Sequence, residues 1–154
     1  MLDNLILLIF CSFLSHIMAG TMTVISDTSV YTIINSQTIY ATNPANYSYA
    51  WKSIDGASWI WYASDNTKIE AALFIKCFSV PGTPTSSNIN IGADDNFTVF
   101  LNGRLVGMKS LTSFFLTEID MLSKTVYGQN CLHIIVENTV DYAGLIFKAT
   151  ISYQ

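Results

Sequence analysis

A chain of 154 residues accommodates one domain with a substantial core, even after loss of a short N-terminal segment. With 51% hydrophobic, 13% aromatic and only 12% charged residues, it is too apolar to be a disordered chain. A formal net charge of −4, with seven Lys and Arg that form no run, gives little attraction to a phosphate backbone and argues against nucleic acid as a partner.

The first twenty residues stand apart. Leu5 to Leu14 is an apolar run of signal-peptide length, and Met18-Ala19-Gly20 supplies small residues that suit a peptidase cut after Ala19. The expectation is a secretion signal over residues 1–20, a single domain over 21–154, and a secreted or cell-surface product. Asp3 and the absence of Lys or Arg in the leading residues, with the large Ile17 before the cut, keep an uncleaved anchor as the alternative. The run is short of the roughly 20 residues a spanning helix needs. Contact with a membrane is expected through that segment alone. Cys11 leaves with the signal, so the mature chain keeps Cys77 and Cys131. A bridge between them would contribute roughly 3–4 kcal/mol by closing a long loop. Two unpaired buried thiols on separate strands are the other reading, and spacing does not choose. Neither cysteine has the CxxC company that metal or redox chemistry requires.

After Gly20, β-branched and aromatic runs alternate with clusters of Asn, Asp, Ser, Gly and Pro, and no stretch has a helical period. Strands are expected over Thr23 to Ser26 and Ser29 to Ile34. A loop over Thr42 to Asn46 then leads into an aromatic region from Tyr47 to Tyr62. In Glu70 to Val80, Phe74, Lys76 and Phe78 share one face and Leu73, Ile75 and Cys77 the other. Pro81-Gly82-Thr83-Pro84 ends that strand, because proline cannot donate to a ladder. Asn88 to Gly92 reads as a short strand. Asn96 to Leu101 and Arg104 to Gly107 read as the arms of a hairpin whose turn, Asn102-Gly103, is the preferred type I′ pair. Phe114 to Asp120 is an extended segment, Met121 to Lys124 a short turn, and Cys131 to Asn138 and Gly144 to Tyr153 the closing strands.

Five pieces occur in an order that resembles the galactose-binding-like jelly roll, the sugar-binding domain of family 2 glycoside hydrolases and α-L-rhamnosidases. They are Ala72 to Gly82, Ala93 to Gly103 (ADDNFTVFLNG), Ile119-Asp120-Met121-Leu122, Gly128 to Asn138 and Gly144 to Ile151. The likeness covers about half of the chain. It implies an all-β jelly-roll sandwich and, because such domains are accessories to a separate catalytic domain, a free-standing module without catalysis.

The chemistry a catalyst needs is sparse. Asp94-Asp95 is the one adjacent carboxylate pair, and neighbouring strand residues point to opposite faces, so the two cannot together flank a glycosidic bond. A carboxylate at the start of a strand accepts backbone N–H bonds in an Asx-type turn. Sugar hydroxyl binding, or a share in a Ca²⁺ site, is the functional alternative, although no DxDxDG loop supports calcium. His16 falls in the signal and His133 in a strand. One histidine makes neither a triad nor a zinc site. No GxSxG, P-loop or GxGxxG is present.

Trp51, Trp59, Trp61 and Tyr62 form the aromatic cluster most open to stacking on a sugar, with Trp59 and Trp61 expected on one face. Core packing at the open end of the sandwich is the competing reading. Fold analogy adds Tyr142, in the loop between the last two strands, to the same rim. Asn46-Tyr47-Ser48 and Asn96-Phe97-Thr98 are glycosylation sequons, with Asn46 the better acceptor because it lies in a loop. The sequence therefore points to a secreted, non-catalytic carbohydrate-binding or adhesion module whose partner is a glycan or cell-surface molecule. The alternative is a structural subunit of an extracellular or virion surface assembly that uses the sandwich for protein contacts.

Overall fold

A computed structural model describes residues 19–110 and 115–154. The strands are β1 Gly20–Ile25, β2 Tyr31–Ile34, β3 Gln37–Tyr40, β4 Glu70–Val80, β5 Pro84–Asp94, β6 Asn96–Leu101, β7 Arg104–Lys109, β8 Thr117–Asp120, β9 Gly128–Asn138 and β10 Gly144–Tyr153, with one 3-10 turn over Leu122–Lys124. They pair antiparallel into a four-stranded sheet, order β1-β10-β5-β8, and a six-stranded sheet, order β3-β2-β4-β9-β6-β7. The chain is an all-β sandwich. The signal or anchor expected at the N-terminus lies, up to Met18, outside the described residues, and β1 begins one residue ahead of the expected domain start. Among the described residues no helix is long and apolar enough to cross a membrane.

Strand alternation builds the core. In β9, Leu132, Ile134 and Val136 are buried while their neighbours are half-buried or exposed, the period-two pattern of a sheet with one face inward. Phe74 of β4 lies opposite Ile134. Phe97, Val99 and Leu101 of β6 lie opposite Val136, Ile134 and Leu132. Ile89 and Ile91 of β5 and Leu145, Phe147, Ala149 and Ile151 of β10 supply the facing layer from the four-stranded sheet.

Turn chemistry fixes the hairpins. Asn102 and Gly103 both take positive φ, +54° and +74°, as a type I′ turn requires. Asn102 then does more than turn the chain: its carbonyl oxygen accepts from the Cys131 amide at 2.9 Å and its amide donates to Lys124 O at 3.0 Å. A second such turn, Asn35-Ser36 with φ of +50° and +62°, joins β2 to β3, a strand that periodicity missed. The short strand expected over Asn88 to Gly92 is eleven residues long. Pro84 occupies its first position, where no ladder donor is lost. Of the segment expected from Phe114, the described part forms a strand only from Thr117.

Cys77 and Cys131 sit directly opposite one another on β4 and β9 and form a disulfide on the outward face of the six-stranded sheet. The bridge spans 54 residues, so the chain-entropy model assigns it about 4 kcal/mol. Reduction should therefore lower the thermal midpoint by roughly 10 °C or more. Differential scanning calorimetry with and without a phosphine reductant checks this, and an unchanged midpoint would refute it.

Candidate functional site

The two aspartates at the end of β5 are both buried, so their carboxylates must find partners inside the protein. Asp94 Oδ2 accepts from Trp51 Nε1 at 2.7 Å, reaching a residue 43 positions earlier. Asp95 Oδ2 accepts from the amides of Thr139 and Val140 at 2.8 and 3.1 Å, and from the Thr139 hydroxyl. One aspartate thus holds the loop before β4 and the other the loop between β9 and β10. The peptide joining them is cis.

A third polar residue, Asn66, completes the arrangement and carries no motif that sequence reasoning could have used. It is fully buried. Its amide nitrogen donates to Asn46 O and to Ala143 O, both at 2.9 Å, and its carbonyl oxygen accepts from the Asn46 backbone and side chain at 3.3 Å. The Ala143 amide returns a bond to Asn66 O at 2.7 Å. The loops around 46, 66 and 143 are thereby locked at one end of the sandwich.

Trp51 and Trp59 stack there with ring centroids 4.1 Å apart, and Tyr47 meets Trp51 edge-on at 5.5 Å. The stack lies over β10. Ile146, on the outward side of that strand, is covered by Ile54 and Trp59, and Trp59 Nε1 is tied to Lys52 O at 3.0 Å. Gly144 lets the rings approach: a Cβ at that position would lie 2.6 Å from Trp51 Cη2 and 2.8 Å from Trp59 Cε3. Trp51 is half-buried and Trp59 buried, Tyr47 beside Trp51 is 52% exposed, and Tyr49 and Tyr142, two residues along the chain from Trp51 and Gly144, are exposed at 103% and 36%.

The expected ligand cluster is therefore divided. Trp51, Trp59, Asp94 and Asp95 come together at the loop end, with Tyr142 two residues from Gly144. Trp61 does not join them. It is 0% exposed and packs against Phe74 and Tyr62 in the main core, so it offers no face to a sugar. Trp59 and Trp61 belong to different clusters, Trp59 with Ile54 and Ile146 and Trp61 with the main core. Ile60 pairs with Leu145 of the four-stranded sheet, and Trp61 with Thr42. Trp61 Nε1 has no hydrogen-bond partner among the described residues, so the residue's contribution is its packing in the core.

Tyr62 also leaves the cluster. Its hydroxyl donates to Glu70 Oε1, and burial together with that bond pushes its pKa up to about 12. His133 sits half-buried on the outward face of β9, between Ile75 and Phe100 in register. Asn46 Nδ2 is held by Asn66, and Asn96 is half-buried at the start of β6. Among the described residues no three His, Cys, Asp or Glu side chains converge as a metal site, and the two aspartates, read from sequence chiefly as structural with a share in a Ca²⁺ site as an alternative, are engaged by Trp51 and the 139–140 loop.

Two sheets in this order, closed by β10 pairing with both β1 and β5, match solved structures of sugar-processing enzymes over part of their length. The chain has the galactose-binding-like jelly-roll fold. The α-L-rhamnosidase of Streptomyces avermitilis, complexed with L-rhamnose, matches over 72% of this chain and 12% of its own, at 24% identity and a TM-score of 0.57. A β-glucuronidase of Ruminococcus gnavus matches over 85% of this chain and 29% of its own, at 11% identity and a TM-score of 0.59. The β-D-glucuronidase of Dictyoglomus thermophilum covers 85% and 28%, at 16% identity and a TM-score of 0.57. The chain therefore spans under a third of the length of each of these enzymes. No family model matches it, and no curated protein does.

The contact between Gly144 and the tryptophan stack is directly testable. Gly144→Ala should cost about 1–3 kcal/mol, since neither ring is a flexible chain end. In a Trp51→Ala background the added cost should fall, giving a coupling of about 0.5 kcal/mol or more in a double-mutant cycle followed by denaturant unfolding. Additive losses would show that the ring contact is not what constrains this glycine.

Proposed function

We propose that this protein is a secreted, non-catalytic carbohydrate-binding or adhesion module. The observation that carries the reading is half-buried Trp51, stacked on buried Trp59, fixed by Asp94 and met edge-on by the exposed Tyr47, with Tyr49 and Tyr142 exposed in the adjoining segments. Aromatic rings held rigid by packing present apolar faces at low entropic cost, and phenol hydroxyls at their edge offer hydrogen bonds to sugar hydroxyls. Likeness of the fold to parts of rhamnosidases and glucuronidases supports the same ligand class. Both aspartates are engaged in holding loops, which supports a site that binds without acid–base chemistry. A disulfide belongs to an oxidising compartment and supports export, as does the apolar segment before Ala19.

Glycan-array screening should find a ligand with or without Ca²⁺. Tyr49→Ala and Tyr142→Ala should lower its affinity by about ten-fold with an unchanged thermal midpoint, because both rings stand at the surface. Trp61→Ala is unsuitable as a probe, since loss of a buried tryptophan costs roughly 3–5 kcal/mol of stability. No bound glycan under either condition would sink the reading.

A second reading is favoured by the outward face of the six-stranded sheet. The register lines up Tyr40, Tyr31, Ile75, His133, Phe100 and Leu105 in one row across all six strands. Ile33, Leu73 and Met108 are exposed on the same sheet. An apolar face of this kind suits a structural subunit of an extracellular or virion surface assembly. Light scattering after size-exclusion chromatography separates the two: ordered oligomers support this second reading, and a monodisperse monomer removes it.

A further inference from the structure

The six-stranded sheet is split along one seam. β2 and β4 are neighbours, yet they pair through Tyr31 and Ile75 alone. Beyond that pair Thr32, Ile33 and Ile34 swing away from Ala71, Ala72 and Leu73, and the gap is a cleft of about 310 Å³. That size is at the lower end of small-molecule sites. Ile34 and Ala72 give it aliphatic walls, and Tyr62 and Glu70 close its polar end.

Glu70 is half-buried there. It takes one hydrogen bond, from the Tyr62 hydroxyl to Oε1, and among the described residues neither an ion pair nor a further side-chain hydrogen bond reaches its second oxygen. Tyr62, with a pKa near 12, remains a donor through the physiological range. A cation entering the cleft would pair with the Glu70 carboxylate, whereas an anion would meet a like charge. The cleft lacks the flat aromatic floor of the loop-end site.

We propose that the cleft between β2 and β4 binds a small organic cation, an ammonium head on Glu70 with an aliphatic body against Ile34 and Ala72, which share its face of the strands. The site is separate from the tryptophan stack and does not depend on the glycan reading.

The test is an NMR titration of the protein with butylammonium, n-butanol and butyrate, which share one aliphatic body and differ in head-group charge. Butylammonium should shift the resonances of Ile34 and Ala72 and bind at least about ten-fold more tightly than butanol, while butyrate should leave them unmoved. Glu70→Gln should abolish that preference, and Tyr62→Phe, which keeps the carboxylate, should retain it. Equal responses to butanol and butylammonium, no response at the cleft, or a preference that survives Glu70→Gln would each overturn the proposal. The three-probe comparison on the unaltered protein decides the matter even if Glu70→Gln does not fold.

Discussion

Two buried carboxylates at the end of one strand organise the loop end of this sandwich. A buried carboxylate without donors is expensive, so Asp94 and Asp95 each recruit a distant segment, and the cost of burial becomes the force that positions loops. Trp51 is placed by Asp94, Trp59 is stacked on Trp51, and Gly144 is small because the two rings lie against it. Asn66 performs the same service with uncharged groups, joining the chain at 46 to the chain at 143. Order in these loops follows from satisfying buried polar atoms, since residues 47–62 form isolated bridges at Ile60 and Trp61 and no strand.

The aromatic residues divide into two kinds by what surrounds them. Trp61 fills the main core, and with Nε1 unpartnered among the described residues its contribution there is packing. Trp51 has its indole N–H satisfied by Asp94 and meets the exposed Tyr47 edge-on. Composition cannot separate these cases, because both sit in the same aromatic run and differ only in which long-range partner meets them.

Polar chemistry is likewise distributed by the sheets. Lys76 lies between buried Phe74 and half-buried Phe78 in sequence alternation, yet its ammonium reaches Asp27 at 3.1 Å. Hydrogen bonds from Ser29 and the charge of Lys76 hold Asp27 below the usual carboxylate range, against a burial effect that opposes them. Among the described residues Glu70 has no such ion pair, and it lines the cleft at the seam between β2 and β4.

Much of the framework was legible from the amino-acid order. Asn102-Gly103 dictates a type I′ hairpin through its tolerance of positive φ, and alternation in Gly128–Asn138 and Gly144–Tyr153 marks strands with one face inward. These are local properties, fixed by a residue and its near neighbours. The pairing of Cys77 with Cys131, the separation of Trp61 from Trp59, the locking role of Asn66 and the cleft at Glu70 were decided only by tertiary structure. Each depends on which residues dozens of positions apart are brought into register, and no local preference encodes that.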